Sequence, residues 1–227
     1  MSGHHGLDSQ ISSEAELATY TDWWNGEALL SSVPTPAIEL IDPSHLTPFA
    51  KFIPSTLEQA RTYIRGFQSI NTRPAINLKK FTARLHEHRV LFSQLLASDC
   101  GIPLQESQLQ LQELAITAEQ IPQLHTSQYP STITLYHIAA SSGLLDLPKI
   151  IAAWIQSECA LLLVPDPQAV RIAMALVQFL AEFDSHRVAV YSGTMEDCAT
   201  LQAEYSQVRM LEEAIAPPPG RVIASQA

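Results

Sequence analysis

The chain has 227 residues, of which 46 % are hydrophobic and only 16 % charged, and its formal net charge is −10 at pH 7. A chain of this composition can bury a large core and is not disordered throughout. The acidic balance excludes the basic surface that a nucleic-acid-binding protein needs, so we expect no nucleic-acid partner.

The sequence also predicts a cytoplasmic protein without membrane contact. No run approaches the roughly 20 consecutive apolar residues of a membrane helix, and the first ten residues lack the basic and apolar segments of a secretory signal. Three scattered cysteines, Cys100, Cys159 and Cys198, form neither a disulfide framework nor a CxxC metal motif. We expect all three to be buried as small apolar residues.

The first half of the chain, from 13 to 122, is predicted to be mostly helical, and residues 1–12 are expected to be frayed. Ser13 and Glu16 have capping-box spacing and predict a short amphipathic helix that reaches Trp24. A short strand is predicted at 37–41. Ser55 and Glu58 form a second capping box that opens a helix. Further helices are predicted at 78–98 and 105–121, ending at Gly101 and Pro122 respectively.

The second half, from 131 to 215, alternates strands and helices. Strands are predicted at 132–139, 160–164, 187–191 and 208–211, and helices at 145–156, 167–183 and 194–205. Asp166 is predicted to be a helix N-cap, and Thr194 with Asp197 a capping box. This order predicts a Rossmann-like parallel sheet with helices on both faces, within a single α/β domain at 13–215. The tail, 216–227, is expected to be irregular.

The candidate site follows from this sheet, because ligands of open parallel sheets bind at the carboxyl ends of the strands. His137 and Asp166 are the candidate catalytic residues, since an imidazole and a carboxylate can transfer protons. Five further side chains at this edge are candidate ligand-binding groups: Ser141, Ser142, Tyr191, Ser192 and Thr194. The alternative is structural, since caps, turns and strand cores use the same residue types.

Sequence motifs for a metal or a nucleotide are weak. His86 and His88 lie two residues apart on a predicted helix and therefore do not face each other, so we expect a solvated face and no metal. The sequence contains no GxGxxG, GxxxxGK[ST] or GxSxG pattern.

The order and spacing of several stretches nevertheless resemble the first half of an aldehyde dehydrogenase. The stretches that carry the resemblance are IDPSHLTPFAKFIPSTLEQARTYIRGF, LKKFTARLHEHRVLFSQLLASDCGIPLQES, ITLYHIAASSGLLDLPKIIAAWIQSECALLLVPDPQAVRIAMALVQFLAEF and VAVYSGTMEDCATLQAEYSQVRML. Their order and spacing hold from residue 41 to about residue 211, roughly three quarters of the chain, and this collinearity carries the signal rather than any single motif. The resemblance implies an α/β fold with a helical N-terminal section and a nucleotide-binding sheet.

Departures from the family pattern imply that hydride transfer is lost. The family's Pro-Trp-Asn, whose Asn helps to stabilise the oxyanion, falls on Ala140, Ser141 and Ser142. The family's Lys-Pro-Ser, whose Lys touches the cofactor ribose, falls on Val164, Pro165 and Asp166. The phosphate turn Phe-Thr-Gly-Ser falls near residues 211–214, LEEA. The chain ends before the family's catalytic domain, and none of the three cysteines matches its nucleophile, so we expect no dinucleotide cofactor.

These expectations leave different functions open. A truncated, repurposed scaffold could bind a small molecule and catalyse a cofactor-independent isomerisation, cyclisation or elimination. The alternatives are a non-catalytic pseudoenzyme subunit that acts through protein contacts, and one half of a split dehydrogenase. We expect a homodimer or hetero-complex through an apolar face formed by the helices at 144–155 and 172–183.

Overall fold

A computed structural model describes residues 17–29, 35–42, 46–70, 76–120, 133–156 and 159–210. The predicted frayed terminus, the tail and the phosphate-turn positions 211–214 lie outside these residues. In the described parts, no helix is both long enough and apolar enough to cross a membrane.

The main sheet has six strands in the order β3-β2-β8-β7-β6-β9. Its parallel part is β6 (Ile133–Ile138), β7 (Ala160–Pro165), β8 (Val188–Val190) and β9 (Val208–Met210). The predicted parallel sheet is therefore confirmed. Strands β7 and β8 are apolar throughout and buried on both faces, and β6 is buried except at His137.

Helices cover both faces of this sheet, as predicted. One face packs on α4 (Leu147–Gln156) and α5 (Val170–Asp184), which lie beneath α2 (Leu78–Cys100) and α3 (Leu104–Gln120). The other face packs on α1 (Leu57–Gln68) and α6 (Met195–Glu204). Helix α2 ends at Gly101, which adopts a left-handed φ of 68°, so the predicted stop is confirmed.

The predicted helix reaching Trp24 is wrong in the described part. Residues 18–29 form three short strands: β1 (Ala18–Tyr20), β2 (Asp22–Trp24) and β3 (Glu27–Leu29). Strands β2 and β3 form a hairpin whose two-residue turn, Asn25 and Gly26, has positive φ at both positions. Asn-Gly is the strongest short-range hairpin signal, and here it outweighs the helical spacing of the apolar residues.

The hairpin extends the main sheet, because β2 pairs antiparallel with β8. Beside it, β1 pairs in parallel with β5 (Pro48–Phe52), and β5 pairs antiparallel with β4 (Ile38–Ile41). Strand β4 confirms the predicted strand, whereas β5 was not predicted. Its residues, PFAKF, are too few and too mixed to show a period on their own.

Two helix caps in the structure differ from the caps that the sequence predicts. The capping box of α1 lies one residue later than predicted, since Thr56 and Gln59 replace Ser55 and Glu58. The backbone N–H of Thr56 donates to Gln59 Oε1 over 2.9 Å. Asp166 does occupy the N-cap position of the 3-10 turn Pro167–Ala169, but its side chain caps nothing there and bonds elsewhere. A carboxylate on the residue directly after a strand can reach the neighbouring strand instead.

The apolar face predicted on the helices at 144–155 and 172–183 is covered. Ile150, Trp154, Ile172 and Leu176 are each at most 1 % exposed, because α2 and α3 lie over α4 and α5. Hydrophobic residues on consecutive helices serve the internal core here rather than an interface.

Candidate functional site

His137 and Asp166 meet at the carboxyl edge of the sheet, where β6 and β7 end. Their strands pair in register, with His137 opposite Val164 and Ile138 opposite Pro165. The imidazole Nε2 lies 2.8 Å from Asp166 Oδ1, so the ring donates its Nε2–H to the carboxylate. The two side chains are 27 % and 41 % exposed, so both can contact a ligand from solvent.

The backbone after β6 fixes the orientation of this pair. Asp166 Oδ2 accepts a 3.0 Å hydrogen bond from the backbone N–H of Ala140, and Asp166 N–H donates to Ile138 O over 3.0 Å. Both carboxylate oxygens are therefore engaged, which leaves little freedom to turn. In the tautomer that this contact selects, His137 Nδ1 carries the lone pair that can accept a proton.

The predicted ligand-binding residues divide into two groups. Ser141 and Ser142 are exposed in the turn that follows β6, directly after Ala140. Thr194 is also exposed, but its hydroxyl accepts from Asp197 N–H over 3.1 Å and closes the capping box of α6, which confirms that capping prediction. The position of Ser141 and Ser142 beside Ala140 keeps both available to a ligand.

Tyr191 and Ser192 instead lie in the interior. They are 0 % and 1 % exposed, and the Tyr191 hydroxyl donates to Asp197 Oδ2 over 3.1 Å. Burial raises the pKa of Tyr191, with the Asp197 carboxylate as a smaller cause, so its hydroxyl stays protonated. These two residues are not in direct reach of a solvent-borne ligand.

Asp22, a buried carboxylate that the sequence did not reveal, binds the backbone that follows β8. Asp22 is 0 % exposed; its Oδ1 accepts from Ser192 N–H over 2.7 Å, and its Oδ2 accepts from the Tyr63 hydroxyl. Desolvation raises the pKa of Asp22, while hydrogen bonds from Ser55, Tyr63 and Ser192 oppose that rise. No sequence signal distinguishes Asp22 from an exposed hairpin residue, because its partners come from distant segments.

The thiol of Cys100 is unsuited to nucleophilic catalysis. Cys100 is half-buried, and burial first, then the charges of Asp99 and Asp166, raise its pKa to about 11. At neutral pH the thiol is therefore protonated. Cys159 and Cys198 are fully buried, as predicted, and burial raises the pKa of Cys198 to about 11.

The solvated face predicted for His86 and His88 holds for His86, which is exposed, but not for His88, whose side chain is 23 % exposed. His88 Nδ1 donates to Arg84 O over 2.9 Å, and its ring packs on Phe92 and Phe179. Among the residues that the structure describes, no group of three or more His, Cys, Asp or Glu side chains could hold a metal ion.

Comparison with solved structures relates this geometry to a known fold. A putative aldehyde dehydrogenase from Burkholderia cenocepacia matches with a TM-score of 0.68 and 16 % identity, over 84 % of this chain and 46 % of that chain. The NAD-dependent aldehyde dehydrogenase from Sinorhizobium meliloti matches with a TM-score of 0.71 and 11 % identity, over 86 % and 45 % of the two chains.

The chain has an aldehyde-dehydrogenase-like fold. Proline utilization A from Bdellovibrio bacteriovorus also matches, with a TM-score of 0.71 and 15 % identity, over 86 % of this chain and 23 % of that chain. The chain spans less than half the length of all three proteins. No protein-family model matches the sequence, and no curated protein does. The resemblance inferred from collinear stretches is thus confirmed at the level of the fold.

The matched Sinorhizobium meliloti enzyme is NAD-dependent, but the described part of this chain's sheet edge does not fit a dinucleotide. Val164, at the position of the family's Lys, is 1 % exposed and offers no donor. Asp166, at the adjacent Ser position, adds a negative charge to an edge that would have to accept phosphate. The N-terminus of α6 is closed by its own capping box and carries Glu196 and Asp197 in its first turn. Acidic side chains at a helix N-terminus compete with an anionic ligand for the same amides.

Proposed function

We propose that this aldehyde-dehydrogenase-like protein binds a small polar molecule at the carboxyl edge of β6 and β7 and catalyses a cofactor-independent proton transfer. The observation that carries the proposal is the 2.8 Å contact between His137 Nε2 and Asp166 Oδ1, which leaves a partly exposed imidazole. Isomerisation, cyclisation and elimination are the reaction classes that such a group supports without a redox step.

The proposed chemistry starts with His137 as a general base. Its Nδ1 accepts a proton from an acidic C–H or O–H of the ligand, and the resulting imidazolium keeps its Nε2–H on Asp166. The negative carboxylate stabilises that imidazolium and fixes the ring, the role of the acid in Asp-His pairs. The proton then returns to another atom of the same molecule, so no electron acceptor is needed.

Around the pair, the main chain supplies positioning groups. Ala140 N–H holds Asp166 Oδ2, and the exposed hydroxyls of Ser141 and Ser142 are proposed to bind the polar part of the ligand. Asp166 occupies an N-cap position, but its side chain makes no hydrogen bond to the first turn that follows, as an ordinary N-cap aspartate would. This difference supports the assignment.

The proposal is tested by solvent deuterium exchange. Small hydroxy-carbonyl compounds are incubated with the protein in D₂O, and proton NMR follows the loss of C–H signals. We expect exchange with the wild type and a loss of at least about 100-fold in His137→Ala, the usual contribution of a general base. Asp166→Asn should reduce the rate as well, because it removes the charge that stabilises the imidazolium.

The matched control is His86→Ala, which removes an exposed imidazole on α2. Its exchange rate should equal that of the wild type. Exchange that persists unchanged in both His137→Ala and Asp166→Asn would contradict the proposal, as would wild-type protein that exchanges no proton of any compound tested.

A second candidate function, a non-catalytic subunit that acts through protein contacts, is supported by a different observation. Large apolar side chains are exposed on α2 and α3, among them Val90 and Leu109, at 61 % and 59 %. If purification yields the protein only with a companion chain, and the variants of His137 and Asp166 behave as wild type, this candidate replaces the first. A companion chain carrying a catalytic Cys and Glu would indicate a split dehydrogenase.

A further inference from the structure

Gln110 is a buried polar residue on the face of α3 that packs on the core. It is 6 % exposed, and the next residue, Leu111, is 1 % exposed. Both groups of its amide are engaged, since Nε2 donates to Ser142 O over 3.3 Å and Oε1 accepts from Leu144 N–H over 3.1 Å. One side chain therefore holds the backbone on both sides of Gly143.

The turn that Gln110 holds is packed closely against the junction of α2 and α3. Gly143 adopts a left-handed φ of 58°, and a Cβ atom there would lie 2.5 Å from Ile102 Cδ1 and 2.8 Å from Leu96 Cδ2. From β6, the Tyr136 hydroxyl donates to Gly143 O over 3.5 Å. A side chain at this position would be strained and would displace its neighbours, so the turn is held in one closely packed arrangement.

The turn also carries the groups proposed to bind the ligand. Its exposed side chains are Ser141 and Ser142. Its start is fixed by the carboxylate of Asp166, which accepts from Ala140 N–H, and its end is fixed by Gln110. These two attachments decide where the backbone that carries both hydroxyls lies, and a displacement of this backbone would move the hydroxyls away from a bound ligand.

We propose that Gln110 is a positioning residue of the site at β6 and β7, an inference that rests on the proposed function. It acts through the turn, where it sets the place of Ser141 and Ser142, and does not touch the ligand. The orientation of the catalytic pair depends on a different contact, because Ala140 N–H holds the Asp166 carboxylate. Loss of the Gln110 amide should therefore weaken ligand binding more than it slows proton transfer.

The test is the kinetics of solvent deuterium exchange in Gln110→Met, which keeps the length of the side chain and removes both hydrogen bonds. The probes are glycolaldehyde, glyceraldehyde and dihydroxyacetone. For each probe that the wild type exchanges, we expect KM to rise about tenfold and kcat to change less than about threefold. The matched control, Gln112→Met, replaces an exposed glutamine of the same helix and should leave both constants unchanged.

Amide hydrogen exchange followed by NMR measures the turn itself. In Gln110→Met, the Leu144 amide should lose protection at least about tenfold, because its acceptor is gone. The amide of Leu162, which is fully buried in β7, should keep its protection and reports that the variant is folded. Tyr136→Phe is a milder second variant, since it removes the long hydrogen bond to Gly143 O and keeps the ring in the core. Its KM should rise about two- to threefold.

The outcomes separate this inference from the proposed function. An active wild type whose KM stays the same in Gln110→Met overturns the positioning role alone, as does a fall in kcat at constant KM or an unchanged protection of Leu144. If Gln110→Met loses the protection of Leu162 and does not fold, the KM of Tyr136→Phe decides between the same two results. A wild type that exchanges none of the probes overturns the proposed function, and with it the role of Gln110.

Discussion

At the scale of single residues, Asp22 connects three segments that are distant in sequence. Its carboxylate links β2 to Tyr63 on α1 and to the backbone after β8, and Ser55 N–H donates to Ser192 O beside it over 2.9 Å. Asp22 itself is fully buried. The carboxylate is costly to bury, and its hydrogen bonds offset part of that cost.

The first prediction concerns the pH dependence of stability. Burial raises the pKa of Asp22 above its ordinary value of 3.8, so the folded protein holds this proton more tightly than the unfolded chain. The contribution of Asp22 is therefore most favourable below the unfolded pKa and is lost as the pH rises through the folded pKa. Asp22→Asn should reduce the loss of unfolding free energy that occurs as the pH rises above the unfolded pKa of Asp22.

Urea unfolding at several pH values measures this change. An asparagine can still accept from Ser192 N–H and can donate to the Tyr63 oxygen, so the variant should fold. Some pH dependence should remain, because desolvation also raises the pKa of Asp99. An unchanged pH profile in Asp22→Asn would show that Asp22 has the same pKa folded and unfolded.

At the scale of elements, Arg187 lies directly before β8 and connects the C-terminal end of α5 to α4 by hydrogen bonds. Its Nε donates to Asp184 Oδ2 over 2.5 Å, and its Nη1 donates to Trp154 O over 3.3 Å. The guanidinium also lies 5.0 Å from the centre of the Trp154 ring. Both charged side chains are at most 5 % exposed, so each depends on the other for compensation.

The second prediction follows from this burial. Arg187→Met should destabilise the protein by about 3–5 kcal/mol, because it leaves the Asp184 carboxylate buried without its partner charge. The matched control is Arg61→Met, which breaks the partly exposed pair with Glu204 and should change stability little. Thermal and urea unfolding compare the two variants, and equal losses would refute the argument from burial.

The third prediction concerns the packing of the β2–β3 hairpin on α1. A Cβ atom at Gly66 would overlap the ring of Trp24, which lies against this position and forms edge contacts with Tyr63 and Phe67. Gly66→Ala gains up to about 1 kcal/mol of helix propensity but overpacks the contact by about 1–3 kcal/mol. We expect a net loss of stability.

Unfolding measurements on Gly66→Ala and on Gln68→Ala separate the two effects. Gln68 is exposed on the same helix, so its replacement tests propensity alone. If both alanine variants were at least as stable as the wild type, the Trp24 ring would have room to move and the packing argument would be wrong.

At the scale of the whole molecule, the main six-stranded sheet has a cluster of buried hydrophobic side chains on each of its two faces. The first joins the sheet to α2, α3, α4 and α5, and the second joins it to α1 and α6. This arrangement brings the ends of β6, β7 and β8 to one edge, although they are separated by whole helices in sequence. The edge carries Asp166, Glu196 and Asp197 close to the strand ends, so its local charge is acidic.

The fourth prediction is that this edge binds no dinucleotide tightly. Titration calorimetry with NAD⁺, NADH, NADP⁺ and NADPH should give dissociation constants no tighter than about 1 mM, a binding free energy of about −4 kcal/mol. The charged pyrophosphate meets acidic side chains, and the Val164 side chain offers it no donor. Micromolar binding of any of the four would refute this prediction and would favour a search for a companion catalytic chain.

The sequence by itself determined most elements of the second half and their parallel order. Short apolar runs of four to six residues that end at Pro or Gly indicate buried strands, and their alternation with longer helical segments leaves few topologies. It also placed His137 and Asp166 at strand ends, since strand ends are local features. Collinear stretches were sufficient to predict the aldehyde-dehydrogenase-like fold.

Only the tertiary structure decided what these side chains do. The side chain of Asp166 bonds His137 and does not cap the helical turn that follows it. This contact exists because β6 and β7 pair in a register that places the two residues side by side, and register depends on the whole sheet. Tyr191 is buried because α1 and α6 pack on this face of the sheet, and Asp22 reaches Ser192 because β2 pairs beside β8. The apolar faces of α4 and α5 were covered by α2 and α3, since burial depends on which elements meet in space rather than on the residues of one helix.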